Sequence, residues 1–234
     1  MIRPEVLDAF KRDDVVISPL KSKLADDVIS ACPVLSEKGY KVIDVPENIF
    51  HEIYRRTIRA YFLQGNVLTE KDAQHAIPNT YGVAPEICYL DDNFFTQVHN
   101  DPDFINLHSE FAGIELKPSF FFGPRIYHRG DILKEHIDHP STHIIGSSIN
   151  IFCEGNPDWP LVFRVGNQYE EVVIKQGEMV IFEAVRVPHS RPIPFSGERY
   201  FGVFYHFEPK EPSKVLSNQY FDAANLYEEA MKQR

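Results

Sequence analysis

From Lys117 onwards the sequence breaks into short runs of β-type residues separated by turn signals, and that rhythm limits the folds open to it. The runs are Ser119 to Tyr127, Ile144 to Phe152, Leu161 to Val165, Glu170 to Ile174, Met179 to Phe182 and Arg199 to Phe207. Between them stand Arg129-Gly130-Asp131, Gly155-Asn156-Pro157, Gly166-Asn167, Gln176-Gly177 and Ser196-Gly197, all of them turn formers. Evenly spaced short strands of this kind predict a jelly-roll or related β-sandwich.

The first part reads differently. From Pro46 to about Gln64, Phe50, Tyr54, Ile58 and Phe62 recur every fourth residue, with Ile49, Ile53 and Tyr61 on a second row. Pro46 suits a first turn and Gly65 a helix end, so a helix with a broad apolar face is expected to pack on the sheet. A second helical stretch spans Phe94 to Phe111 and breaks near Asp101-Pro102. The polar segment Thr69 to Ala84 is longer than an ordinary connector and is a candidate loop near a site. Beyond Pro212 a C-terminal helix is expected, with Leu226, Tyr227 and Met231 on its apolar side. The division is therefore 1–116 mainly helical, 117–210 β core and 211–234 helical tail, within one domain of α+β, mainly β, class. With 43% hydrophobic residues the chain has enough to bury one core.

The net charge of −10 and the lack of a Lys/Arg cluster argue against nucleic acid as a partner. Three scattered cysteines, with no CxxC pair, imply neither a disulfide framework nor a zinc site. The start of the chain turns charged too early for a signal peptide, and no apolar run reaches membrane-spanning length. A soluble, cytoplasmic protein is expected; a homodimer is compatible with these features.

One stretch carries chemistry. His136-Ile137-Asp138 reads as a β segment in which alternate side chains share a face, so an imidazole and a carboxylate project together. A second imidazole, His189, follows the strand Glu178 to Ala184. Two histidines and one carboxylate fill one face of an octahedron and leave the other open, the arrangement that suits iron(II) in oxygenase chemistry. HxD alone is a weak signal, since His99-Asn100-Asp101 also matches; there Asp101 reads better as a helix cap. His206-Phe207-Glu208 offers an HxE with no histidine after it. Arg199, ten positions after His189, offers a fixed cation for a carboxylate, and Tyr127 a hydroxyl beside it. The alternative for Tyr127 is simple packing.

Arg125-x-Tyr127, Gly130 before His136-x-Asp138, Gly177-Glu178-Met179-Val180-Ile181-Phe182, and His189 with Arg199 together resemble the prolyl 4-hydroxylase-like branch of the iron(II)/2-oxoglutarate dioxygenases. The resemblance covers roughly Ser119 to Phe207. It implies a double-stranded β-helix (cupin-like) core, with iron(II) on His136, Asp138 and His189. It further implies 2-oxoglutarate held by Arg199 and Tyr127, dioxygen as oxidant and ascorbate as a reductant. The implied activity is hydroxylation of an unactivated C–H bond, with succinate and CO2 as co-products. Two departures from the branch stand out. Arg199 occupies a place where many prolyl hydroxylases carry lysine, and Asp158-Trp159-Pro160-Leu161 replaces a Gly-Gly-Glu element.

Arg186, Arg191 and Trp159 are candidate substrate contacts, each with a bland alternative as an exposed or packing residue. His128 and His139 are expected to point away from the metal, and Phe120 to Phe122 to belong to the core. The substrate reading favours a free amino acid or other small molecule. A peptidyl-prolyl substrate is the alternative, and a metal-binding cupin-like protein without oxygenase activity is the alternative of another class.

Overall fold

The computed structural model describes residues 2–12, 14–69, 86–90, 93–155 and 158–232. In chain order it begins with α1 (Pro4–Ala9), a 3-10 turn at Ser18–Lys21, α2 (Lys23–Ala31) and β1 (Tyr40–Asp44). Next come α3 (Glu47–Ile58), which widens into a π-type turn over Arg59–Gln64, then β2 (Val67–Thr69) and β3 (Glu86–Cys88). Two helices follow, α4 (Phe94–His99) and α5 (Pro102–Ala112). The β core comprises β4 (Leu116–His128), β5 (Leu133–His136), β6 (Ile145–Cys153), β7 (Leu161–Val165) and β8 (Gln168–Val172). It continues with β9 (Glu178–Glu183), β10 (His189–Arg191) and β11 (Arg199–Pro209), before α6 (Pro212–Val215) and α7 (Asn218–Lys232).

Two antiparallel sheets form the double-stranded β-helix. The larger has the order β1-β9-β6-β11-β4-β3-β2 and the smaller β5-β10-β7-β8. Strand alternation gives the large sheet two different faces. On β11 the odd residues Phe201, Val203, Tyr205 and Phe207 join the main apolar core under the helices. The even residues Phe204 and His206 line a cavity between the sheets.

α3 lies on β6 as its apolar face predicts, with Ile53 fully buried and Tyr54 edge-on to Phe152. Burial of an isoleucine of this kind stabilises the fold by about 1.5–3 kcal/mol. The break at Asp101 is a cap: its carboxylate accepts from the backbone N–H groups of Asp103 and Phe104.

All six expected strand runs are present, Leu161–Val165 with the same limits. The first part is less purely helical than expected, because β1, β2 and β3 add to the large sheet. With three to five residues each, they are too short to show a period of two against the helical background. In α7, Tyr227 is buried as expected, but Leu226 is exposed and Tyr220, Ala223 and Ala224 supply the rest of the packed face. The Thr69 to Ala84 segment lies, beyond its first residue, outside the described residues. Among the described residues Cys32, Cys88 and Cys153 form no disulfide. Among the described residues no helix is long and apolar enough to cross a membrane.

Candidate metal centre and its cavity

The β4–β5 turn sets up the site. Gly130 takes φ +91°, and the Asp131 carboxylate accepts from the His128 N–H at 2.7 Å, reversing the chain into β5. β10 pairs with β5 so that His189 stands directly opposite His136, their rings 4.3 Å apart. Asp138 lies just past the end of β5, held by its N–H to the Ala184 carbonyl at 3.0 Å. One donor atom from each of His136, Asp138 and His189 then falls within 4.8 Å of the others.

The protons in this cluster decide what it can do. His136 Nδ1 donates to the Lys134 carbonyl at 2.6 Å, and His189 Nδ1 to the Val187 carbonyl at 3.1 Å. With the ring proton on Nδ1, each Nε2 presents a lone pair. Those two nitrogens sit 3.6 and 3.7 Å from Asp138 Oδ1. Burial lowers the pKa of both imidazoles, that of His136 to about 3, so they are neutral at pH 7. Burial opposes ionisation of Asp138, but His189 and His206 beside it outweigh that and keep the carboxyl below the usual range. Three unprotonated donors thus converge in a buried site, and a cation is the species that relieves their mutual repulsion.

The donors open into a cavity of about 340 Å³, lined by aromatic and aliphatic side chains together with a larger number of polar and ionisable ones. Tyr127 and Arg191 stand in its wall, and both are buried. Arg191 is two residues beyond His189 on β10, hence on the same face. It donates to the Trp159 carbonyl and to the Tyr200 hydroxyl, and its guanidinium lies 4.6 Å from the Trp159 ring centre.

Three residues expected at the site stand outside the cavity. Arg199 is not in the cavity: its guanidinium pairs with Glu154 at 2.6 Å and reaches Tyr61 at 3.3 Å on the helix side. It shares the parity of Phe201, so β11 turns Tyr200 inward in its place. Arg186 is bound to the buried Glu183 and does not reach the cavity. Trp159 is a packing residue, with its indole N–H on the Ile193 carbonyl at 2.8 Å and its ring against Tyr127, Phe195 and Tyr200.

Other residues gain a place. Phe120 and Phe122 line the cavity, while Phe121 faces the core, so this run serves both sides of β4. His128 pairs with Glu86, away from the metal donors as expected. His139 pairs with Glu228 at the cavity mouth. His143 and His206 also line the cavity; alternation on β11 marks His206 only once Tyr200 is known to face inward.

Several solved structures share this architecture. A prolyl-4-hydroxylase from Pseudomonas putida matches at TM-score 0.55 and 16% identity, over 79% of this chain and all of its own. A prolyl hydroxylase from Trichoplax adhaerens, solved with a peptide fragment of the hypoxia inducible factor oxygen degradation domain, matches at TM-score 0.56 and 14% identity, over 83% and 94%. The chain shares the fold of these two hydroxylases. That fold also carries SnoN, a non-heme alpha ketoglutarate dependent epimerase of nogalamycin biosynthesis, at TM-score 0.57 and 11% identity, over 79% and 82%. No protein-family model and no curated protein matches the chain.

Proposed function

We propose that this protein is an iron(II)- and 2-oxoglutarate-dependent oxygenase that hydroxylates a C–H bond of a free amino acid or other small molecule. The convergence of two imidazole lone pairs and one carboxylate oxygen beside an open cavity carries the reading. His136, Asp138 and His189 would hold iron(II). With 2-oxoglutarate and dioxygen bound, iron supplies the oxidising power: one oxygen atom enters the substrate as hydroxyl, the other leaves in succinate, and CO2 is released.

The chain's own residues do the rest. Arg191 is the cation suited to the distal carboxylate of 2-oxoglutarate, in the role the sequence suggested for Arg199. It is buried, lines the cavity and is held in one orientation by Trp159 and Tyr200. Tyr127 lines the same cavity and offers its ring to the ligand. Phe120, Phe122 and Phe204 give the reaction space an apolar wall.

The small cavity supports a compact substrate. Peptidyl-prolyl hydroxylation is the second reading, favoured by the two prolyl hydroxylases among the fold relatives, one of them carrying a peptide. The test is anaerobic addition of iron(II) and 2-oxoglutarate to metal-free protein. A visible charge-transfer band is expected, absent in His136→Ala, followed by succinate formation in a screen of amino acids and proline-rich peptides. Iron bound without a band would favour a cupin-like protein that is no oxygenase. Turnover of peptides alone would move the substrate to the second reading.

A further inference from the structure

Asp138 sits beyond the end of its strand, so neither a ladder nor a helix fixes the rotation of its carboxylate. What reaches that carboxylate from the opposite sheet is His206. Its Nε2 is 3.3 Å from Asp138 Oδ2, whereas Oδ1 is the oxygen nearest His136 and His189. The two oxygens therefore have different neighbours: one faces lone pairs, the other faces a group able to donate.

The tautomer of His206 follows from its surroundings. Its Nδ1 is buried and has no hydrogen-bond partner among the described residues. A proton there would be left unsatisfied, while a proton on Nε2 meets a carboxylate oxygen. The ring is held on β11, inside the large sheet, with Gly146 and Phe120 as its backbone partners. It lies against His143 in a tilted arrangement with ring centres 4.0 Å apart, and meets Phe122 edge-on at 5.6 Å. Glu208, the other half of the HxE pattern, pairs with Lys117 and takes no part.

We propose that His206 is a positioning residue of the metal centre: by donating its Nε2–H to Asp138 Oδ2 it presents Oδ1 alone to the metal, as a single-oxygen ligand. This rests on the metal-site reading above. A carboxylate fixed in this way leaves an additional coordination position open, which bidentate binding of a co-substrate would need. Without the donor the carboxylate is free to rotate and to offer both oxygens.

The test is cobalt(II) binding to the full chain, followed by calorimetry and by the visible absorption of the bound ion. His206→Phe keeps an aromatic ring against His143 and removes the donor; His206→Gln keeps an N–H at the same reach. Wild type is expected to bind one equivalent, and His136→Ala to lose it. His206→Phe is expected to bind about 10–100-fold more weakly, with an altered cobalt spectrum and an unchanged melt of the metal-free protein. His206→Gln is expected to recover most of both. If the phenylalanine variant does not fold, His206→Leu carries the same expectation. Wild-type affinity and spectrum in the variant lacking the donor would overturn the role of His206 alone, as would a glutamine variant no better than phenylalanine. Absence of cobalt binding to wild type would overturn the metal reading and this inference with it.

Discussion

Arg191 Nη2 lies 3.0 Å from the hydroxyl of Tyr200, and both side chains are buried beside the sole tryptophan of the chain. Arg191 lines the cavity on the same face of β10 as His189, with Tyr200 behind it. If Arg191 holds the distal carboxylate of 2-oxoglutarate, Trp159 should report its arrival. Titration of 2-oxoglutarate into manganese-loaded protein is expected to change the tryptophan emission. Arg191→Lys, which keeps the charge but loses the fork, should weaken binding by about 10-fold or more, the size of a charge-assisted hydrogen bond. Tyr200→Phe should weaken it less, and Arg199→Gln should leave it within about twofold. Loss of affinity in Arg199→Gln with Arg191→Lys unaffected would restore the assignment that the sequence suggested.

Metal binding should appear in stability. A ligand that binds only the folded chain adds about 2.7 kcal/mol at a hundred times its Kd. For a chain of this size that raises Tm by roughly 5–10 °C. Manganese(II) is expected to raise the melting temperature of wild type and a chelator to return it. His136→Ala and Asp138→Ala should melt at one temperature with or without the metal. A metal-dependent shift that survives both substitutions would place the ion elsewhere.

The convergence of His136, Asp138 and His189 was legible because HxD followed by a distant histidine depends on spacing along a β segment and on residue type, both of which the sequence states. The placement of the arginines was not. Whether Arg199 or Tyr200 points inward depends on the register of β11, which carries irregularities at Gly202/Phe204 and at His206/Phe207. A shift of one residue exchanges the faces of a strand. Arg186 and Arg191 looked equivalent in the sequence, since both flank His189. Only the placement of Glu183 separates them, by taking Arg186 out of reach. The helices were read from their period, but α3 gives way to a π-type turn at Arg59, which a fourfold repeat does not signal.

Acid should destabilise the fold through His108. It is fully buried, with Nδ1 on the Phe104 carbonyl at 2.7 Å and Nε2 at 2.9 Å from the Ser147 hydroxyl. Burial pushes its pKa down from 6.5 to about 3, against the opposing pull of that carbonyl. Between those values the unfolded chain binds a proton that the folded one does not. Stability is therefore unaffected above pH 6.5 and falls as the pH drops below it, by about 1.4 kcal/mol per unit from this group. In urea titrations of metal-free protein, lowering the pH from 7.5 to 5.0 should cost wild type about 2 kcal/mol more than His108→Gln. Equal losses in the two proteins would remove His108 from the acid response.

Glu183 is the polar anchor of the segment that leads into β1. Its carboxylate accepts from the N–H of Leu35 at 3.2 Å, from the N–H and hydroxyl of Ser36 at 2.8 and 2.6 Å, and from Arg186 Nη2 at 2.9 Å. It is 1% exposed, so its removal leaves several donors and a partly buried guanidinium without their acceptor. Glu183→Ala should cost about 3–5 kcal/mol, measured by urea unfolding. Adding Arg186→Met to that variant should recover part of the loss, because the orphaned cation goes with it. Arg186→Met alone should lower stability but leave cobalt affinity and 2-oxoglutarate affinity unchanged. A change in either affinity would return Arg186 to the site.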